Sequence, residues 1–152
     1  MKISIDQIKK LREETGAGIG DCRAALEEAG GDYKKALEIL KAKGLEIAEK
    51  KADRPVGQGL VETYIHGGGK IGAMVEVACE TDFVARTDDF KNLAHELAMQ
   101  VAAMNPTDVE KLLGQEWIRD LSKTIDQLVK ETIAKVGENI VVKRLIRFEL
   151  GE

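Results

Sequence analysis

The chain has 152 residues, of which 43% are hydrophobic and 33% charged, and its formal net charge is −4 at pH 7. That length suffices for one ordinary domain or two small ones, and no apolar run approaches the roughly 20 residues that cross a bilayer, so no membrane partner is expected. Residues 1–53 hold 11 basic and 11 acidic side chains and the remainder is acidic, which disfavours nucleic-acid binding because a phosphate backbone attracts basic segments.

Residues 1–43 predict three short helices. Ser4 and Gln7 have the spacing of a capping box at the start of the first helix, and glycine-rich turns separate the three segments. Asp32 is placed to cap the third helix, and Gly44 is expected to be the C′ residue that ends it.

A domain boundary is predicted after a highly charged linker helix over residues 45–53, where Arg54-Pro55 and two nearby glycines interrupt the pattern. The chain therefore divides into a three-helix module with its linker helix, residues 1–53, and a core, residues 54–152. No targeting segment is recognised at the start, and the expected location is cytoplasmic.

The core changes to the two-residue period of strands. The predicted order is strand, turn, strand, long helix, weaker helix and third strand: Leu60–His66, Gly67–Lys70, Ile71–Cys79, a helix from Thr87 to Asn105, a helix carrying Leu121 to Val136 and closed by Gly137, and Asn139–Phe148. Strands with helices to one side indicate an α+β fold with a three-stranded antiparallel sheet.

No catalytic, metal or cofactor site is predicted. Cys22 and Cys79 are expected to be small buried thiols, and His66 and His95 lack ligand spacing. Gly67–Lys70 precedes a strand rather than a helix, so it is a hairpin turn rather than a phosphate-binding loop.

Two segments allow a functional interpretation beside a structural one. Leu11–Leu26 contains Ile19 between two glycines, which is either part of a plain helix–turn–helix or an exposed contact residue. In Glu80–Ala85, either Asp82 caps a helix while Phe83 packs into the core, or the two side chains are presented to a partner.

At both segments the sequence resembles the elongation factor Ts family, the nucleotide exchange factors of elongation factor Tu. The matching motifs are LRxxTGAG with DCRAAL (Leu11–Leu26), AxKKADR (Ala48–Arg54), CETDFVA (Cys79–Ala85), GENIVVKR (Gly137–Arg144) and RFELG (Arg147–Gly151). They follow one another in the family's order and span nearly the whole chain.

This resemblance implies an N-terminal module of the ubiquitin-associated (UBA-like) type, which docks on the GTPase domain of elongation factor Tu. The implied contact positions in this module are Arg12, Gly18, Ile19, Gly20 and Arg23. Gly20 stands where some members have a longer apolar side chain, so that contact is expected to be reduced.

The resemblance also implies how nucleotide is released. Thr81, Asp82, Phe83 and Val84 form the loop that enters the magnesium and phosphate region of the GTPase, where Phe83 wedges into an apolar pocket. Disturbing that region weakens the binding of GDP without breaking a covalent bond, so the resemblance implies that the chain is not an enzyme. The magnesium belongs to the partner, and this chain needs no cofactor.

Long members of the family carry two core subdomains, whereas this chain has room for one. A homodimer in which two core units pair is therefore expected. Three other classes of protein stay open as alternatives: a binding module that captures helical or ubiquitin-like partners through its head, an enzyme with an unrecognised site, and a helix-turn-helix nucleic-acid binder.

Overall fold

The structure is a computed structural model that describes residues 2–152. Its N-terminal part consists of three helices, α1 (Ile5–Thr15), α2 (Ile19–Glu28) and α3 (Tyr33–Lys51). Their buried side chains form a small cluster of their own: Leu11, Cys22, Ala25, Leu26, Ala36 and Leu40. The predicted three-helix module is confirmed, and its likeness to UBA domains stays a prediction.

The caps predicted for these helices are present. The backbone N–H of Gln7 donates to Ser4 Oγ at 3.1 Å, and the Ser4 N–H donates back to Gln7 Oε1 at 3.2 Å, which completes the capping box. Asp32 Oδ1 accepts from the Lys35 N–H at 3.2 Å at the start of α3. These bonds satisfy backbone donors that have no partner within the helix.

α3 does not end at Gly44, so that part of the prediction is wrong. The third helix and the linker helix are one continuous helix that ends at Lys51. Gly44 lies buried in its middle, and a Cβ atom built there would be 3.2 Å from Cβ of Ala134 in α7 (Ile125–Val136). Glycine at this position allows the two helices to approach closely, and it does not reverse the chain.

The core contains the predicted three-stranded antiparallel sheet. Its strands are β1 (Gln58–His66), β2 (Ile71–Cys79) and β5 (Ile140–Glu149), with β2 in the centre. β1 and β2 are joined at Gly67–Gly69, where three positive φ angles of 32°, 72° and 80° suit glycine in a tight turn. The expected α+β fold and the hairpin are confirmed.

One face of the sheet packs against α5 (Asp88–Met104), with α4 (Asp82–Ala85), α6 (Val109–Gly114) and α7 completing the core. Ala48 in α3 belongs to this larger core cluster, so the end of α3 packs with the core. The division into domains at residue 53 stays a prediction. None of the helices in residues 2–152 has both the length and the apolar character that crossing a membrane requires.

The helix predicted to carry Leu121 begins later, at Ile125. Leu121 lies instead in a small unpredicted hairpin of β3 (Glu116–Trp117) and β4 (Asp120–Thr124). The buried side chain of Gln100 holds this hairpin on α5: its amide donates to Glu116 O at 3.0 Å and its oxygen accepts from the Ile118 N–H at 3.1 Å. The apolar spacing of Leu121 fits a helix, but the hydrogen bonds of Gln100 hold this segment as a hairpin.

The second face of the sheet is open and largely apolar. Its exposed hydrophobic side chains are Val61, Ile65, Met74, Ile146 and Phe148. Within this face Glu76 and Arg144 form an ion pair at 2.6 Å. We refer to these seven residues as the open sheet face.

The close approach of α3 and α7 yields a stability prediction. Gly44→Leu should lower the free energy of unfolding by about 1–3 kcal/mol, because the added side chain overpacks against Ala134. Urea unfolding followed by circular dichroism measures the change. Gly20→Leu is the matched control, since no atom lies within 4 Å of a Cβ built at this helical glycine. Equal effects of the two substitutions would contradict this account of the helix contact.

Candidate functional site

The segment between β2 and α5 presents one aromatic side chain to solvent. Phe83 is 82% exposed, whereas the next residue, Val84, is only 6% exposed. The interpretation in which Phe83 packs into the core is therefore wrong. Full burial of a phenylalanine side chain contributes about 1.5–3 kcal/mol, and Phe83 forgoes most of this within the chain, which makes it a candidate anchor for a partner. We call Thr81–Ala85 the Phe83 turn.

The Phe83 turn is a single helical turn with a defined cap. Thr81 Oγ1 accepts from the Val84 N–H at 3.2 Å, so Thr81 is the N-cap and the alternative in which Asp82 caps the helix is wrong. The Asp82 carboxylate forms an ion pair with Arg86 instead and stays half exposed. Val84 and Ala85 attach the turn to the core.

Residues from distant parts of the chain hold the start of this turn. Glu138 accepts two hydrogen bonds from Thr81, from its N–H at 2.9 Å and from its hydroxyl at 2.7 Å. Glu80 accepts from the Asn139 N–H at 2.7 Å, and Asn139 donates through its amide to Arg54 O at 2.9 Å. The turn, the α7–β5 junction and the chain leaving α3 are thus bonded together.

The sequence motifs alone do not indicate a role for Glu138, Asn139 and Glu80. The sequence does indicate that Glu138 and Asn139 are a polar pair between a helix and a strand, because Gly137 is a typical helix-ending residue. In the structure Gly137 closes α7 in the left-handed conformation. Their partners could not be identified, since Glu138 and Thr81 lie 57 residues apart in the chain.

The cysteine beside the turn is suited to a structural role. Cys79 is buried, and its thiol donates to Thr81 O at 3.2 Å. Burial raises the pKa of the Cys79 thiol, and the nearby Glu138 carboxylate raises it further, so the thiol stays protonated and weakly nucleophilic. Burial also raises the pKa of the Cys22 thiol. Both cysteines are buried and free, as predicted.

A second group of predicted residues surrounds the α1–α2 turn. Ile19 is 57% exposed and begins α2 directly after Gly18, which is its N-cap. Gly20 has open space where a side chain would lie. Arg12 lies in the last turn of α1, and Arg23 pairs with Glu27 at 3.0 Å on the surface of α2. Ile19 and its neighbouring glycines therefore lie at a solvent-facing turn, with Arg12 and Arg23 on the two helices that flank it.

The structure leaves the two groups of residues separate. Phe83 is carried by the core, whereas Ile19 is carried by the three-helix module. Within residues 2–152 no hydrogen bond or ion pair joins them, and no three His, Cys, Asp or Glu side chains converge as metal ligands could. The two groups of residues therefore lie on different elements of the chain, α4 and the start of α2.

Comparison with known proteins finds relatives that match along nearly the whole chain. A family model described as elongation factor TS matches residues 80–152. Elongation factor Ts of Coprothermobacter proteolyticus is 47% identical, with 100% of both chains covered. That of Thermoanaerobacter sp. (strain X514) is 45% identical over 99% of this chain and 96% of its own length, and that of Thermotoga petrophila is 45% identical over 100% and 98%.

The alignments also show a difference in length. They extend over 195 to 197 positions, whereas this chain has 152 residues. Each of these relatives therefore contains residues that have no counterpart here.

Proposed function

This chain belongs to the elongation factor Ts family, and we propose on that premise that it binds elongation factor Tu and promotes the release of GDP during translation elongation. The observation that carries the proposal is Phe83, an almost fully exposed aromatic residue on a turn attached to the core. Exchange breaks no covalent bond, so the proposed role needs no catalytic residue. Its place is the cytoplasm, where elongation occurs.

The proposed mechanism uses the Phe83 turn to disturb the nucleotide site of the GTPase. Phe83 enters an apolar pocket next to the magnesium and phosphate region, and burial of its ring contributes about 1.5–3 kcal/mol. Magnesium compensates much of the nucleotide's charge, so displacing the groups that hold it weakens GDP binding. Linkage requires that nucleotide weaken binding of this chain by the same factor, which makes the complex transient.

Asp82, Thr81 and Val84 have supporting roles in this mechanism. The ion pair of Asp82 with Arg86 is exposed to solvent, and exposed pairs of this kind contribute little to stability. The carboxylate is therefore available to polar groups of the partner. Thr81 caps the turn, and Val84 fixes it to the core beneath.

The three-helix module supplies the second contact in this proposal. Ile19 is the apolar centre of a surface that also includes Arg12, Gly18, Gly20 and Arg23. Because Gly20 adds no side chain, the apolar contact is narrow. The module sets the affinity for the GTPase, whereas the Phe83 turn acts on the bound nucleotide.

We also propose that two copies pair through the open sheet face. Five exposed hydrophobic side chains lie on one face of the sheet, and an apolar patch of this kind marks a site of protein–protein contact. The Glu76–Arg144 pair makes the face self-complementary, because a twofold axis can bring Glu76 of one copy to Arg144 of the other. A second copy of this core is thus the expected occupant.

Phe83→Ala should reduce the acceleration of GDP release from elongation factor Tu about 10- to 100-fold, because burial of the ring is lost. Fluorescent GDP dissociation in a stopped-flow instrument measures the rate. Leu121→Ala is the control, since this residue is also highly exposed but lies on β4. Equal acceleration by wild type and Phe83→Ala would contradict the wedge mechanism, and no acceleration by wild type would favour a plain binding module.

Ile19→Ala should raise the concentration for half-maximal exchange about fivefold to tenfold and leave the maximal rate unchanged, because only docking is weakened. Exchange rates measured over a range of concentrations separate the two quantities. Ile5→Ala is the matched control in the same module, since Ile5 is exposed at the start of α1. A fall in maximal rate for Ile19→Ala would argue against the assigned division of roles.

Ile146→Asp should convert the proposed dimer to a monomer, because an unpaired carboxylate would be buried in an apolar interface. Sedimentation velocity across the micromolar range measures the mass. Leu121→Asp, an equally drastic change at an exposed site outside the open sheet face, should leave the mass unaltered. A monomeric wild type over this range rules out the dimer.

A further inference from the structure

The Phe83 turn is held from outside by a carboxylate that the sequence motif around it does not contain. Both oxygens of Glu138 accept hydrogen bonds from Thr81: Oε1 from the backbone N–H at 2.9 Å and Oε2 from the hydroxyl at 2.7 Å. Bonds to an ionised acceptor are about twice as strong as neutral ones. Thr81 is therefore fixed at two points by one side chain.

The hydrogen bond from the hydroxyl has a consequence for the helix cap. A threonine hydroxyl carries one hydrogen and two lone pairs. Because the hydrogen is directed to Glu138, a lone pair is free to accept from the Val84 N–H, and that bond at 3.2 Å starts the turn on which Phe83 lies. Glu138 thus orients the capping group as well as the backbone.

The surroundings of Glu138 fix it in turn. It follows Gly137, whose left-handed conformation ends α7, and it precedes Asn139, which is buried and bonded to Glu80 and to the carbonyls of Ala52 and Arg54. The carboxylate is therefore delivered from a short junction whose neighbouring residue is anchored, rather than from a free loop.

We infer that Glu138 is a positioning residue for nucleotide exchange, which fixes the direction of Phe83 through Thr81. The inference rests on the proposed exchange function. Phe83 is too exposed to be oriented by packing of its own ring, so its direction depends on the turn that carries it. A wedge that is already oriented does not lose the conformational freedom of the turn when it enters a pocket.

The experiment compares Glu138→Ala and Glu138→Gln with the wild type in the GDP release assay over a range of concentrations. Glu138→Ala should lower the maximal rate roughly tenfold and leave the half-maximal concentration unchanged, because docking through Ile19 is intact. Glu138→Gln retains an acceptor for the Thr81 N–H and should recover most of the rate. A maximal rate of Glu138→Ala equal to that of wild type overturns the inference.

A cycle with Phe83→Ala separates positioning from general damage. If Glu138 acts through Phe83, adding Glu138→Ala to Phe83→Ala should not reduce the residual exchange further. Equal fold reductions in the two backgrounds overturn the inference. Glu96→Ala is the matched control. Glu96 is also a carboxylate that accepts two hydrogen bonds, from Trp117 and Arg119, but it holds the β3–β4 hairpin rather than the Phe83 turn. It should leave exchange unchanged.

Two further comparisons keep the outcome decisive. If thermal unfolding shows that Glu138→Ala is not folded, Thr81→Val replaces it in the test. This variant removes the hydroxyl that bonds both Glu138 and Val84, and it should lower the maximal rate in the same way. Failure of the wild type to accelerate release defeats the proposed function itself. A different outcome defeats only the role of Glu138: the wild type accelerates GDP release, Phe83→Ala loses this acceleration, and Glu138→Ala and Thr81→Val retain it.

Discussion

Packing of one face of the three-stranded sheet against α5 is the interaction on which the rest of the structure depends. α5 carries an apolar stripe along most of its length, and the inward side chains of β2 are buried against it. Because β2 is the central strand, its end at Cys79 is held by neighbours on both sides. The segment that follows therefore starts from the most constrained strand of the sheet.

The Phe83 turn contains an exposed side chain directly beside two buried ones. Consecutive residues of a helical turn point about 100° apart, so Val84 and Ala85 can be buried while Phe83 faces solvent. Most phenylalanines are at least partly buried, and an exposed one on a turn with several anchors is informative for that reason. Here the anchors come from the core below and from Glu138 at the side.

The attachment of the three-helix module follows from close helix packing. α3 continues without a break from the module to the core, and Gly44 allows it to approach α7 at Ala134. The same helix, α7, ends at the junction that carries Glu138 and Asn139. One helix is thus connected both to the module and to the Phe83 turn, so the two proposed contact surfaces are placed relative to each other by packing rather than by a flexible linker.

Much of the architecture could be predicted from the sequence, because it depends on local chemistry. The capping box at Ser4, the hairpin at Gly67–Gly69 and the apolar stripe of α5 all depend on residues a few positions apart. The two segments carrying Ile19 and Phe83 were also identified from sequence, through glycines and motif resemblance.

What only the tertiary structure decided depends on contacts between distant residues. Glycine is typical of a helix end, yet Gly44 lies within a helix and packs closely against Ala134, which is 90 positions later in the chain. Leu121 continues a helical period, but the bonds of Gln100 hold its neighbours in a hairpin. The exposure of Phe83 and the role of Thr81 as cap likewise required the fold. The sequence by itself determined the elements and the candidate contact segments, whereas long-range packing and hydrogen bonds decided where helices end, which side chains face solvent and what holds them there.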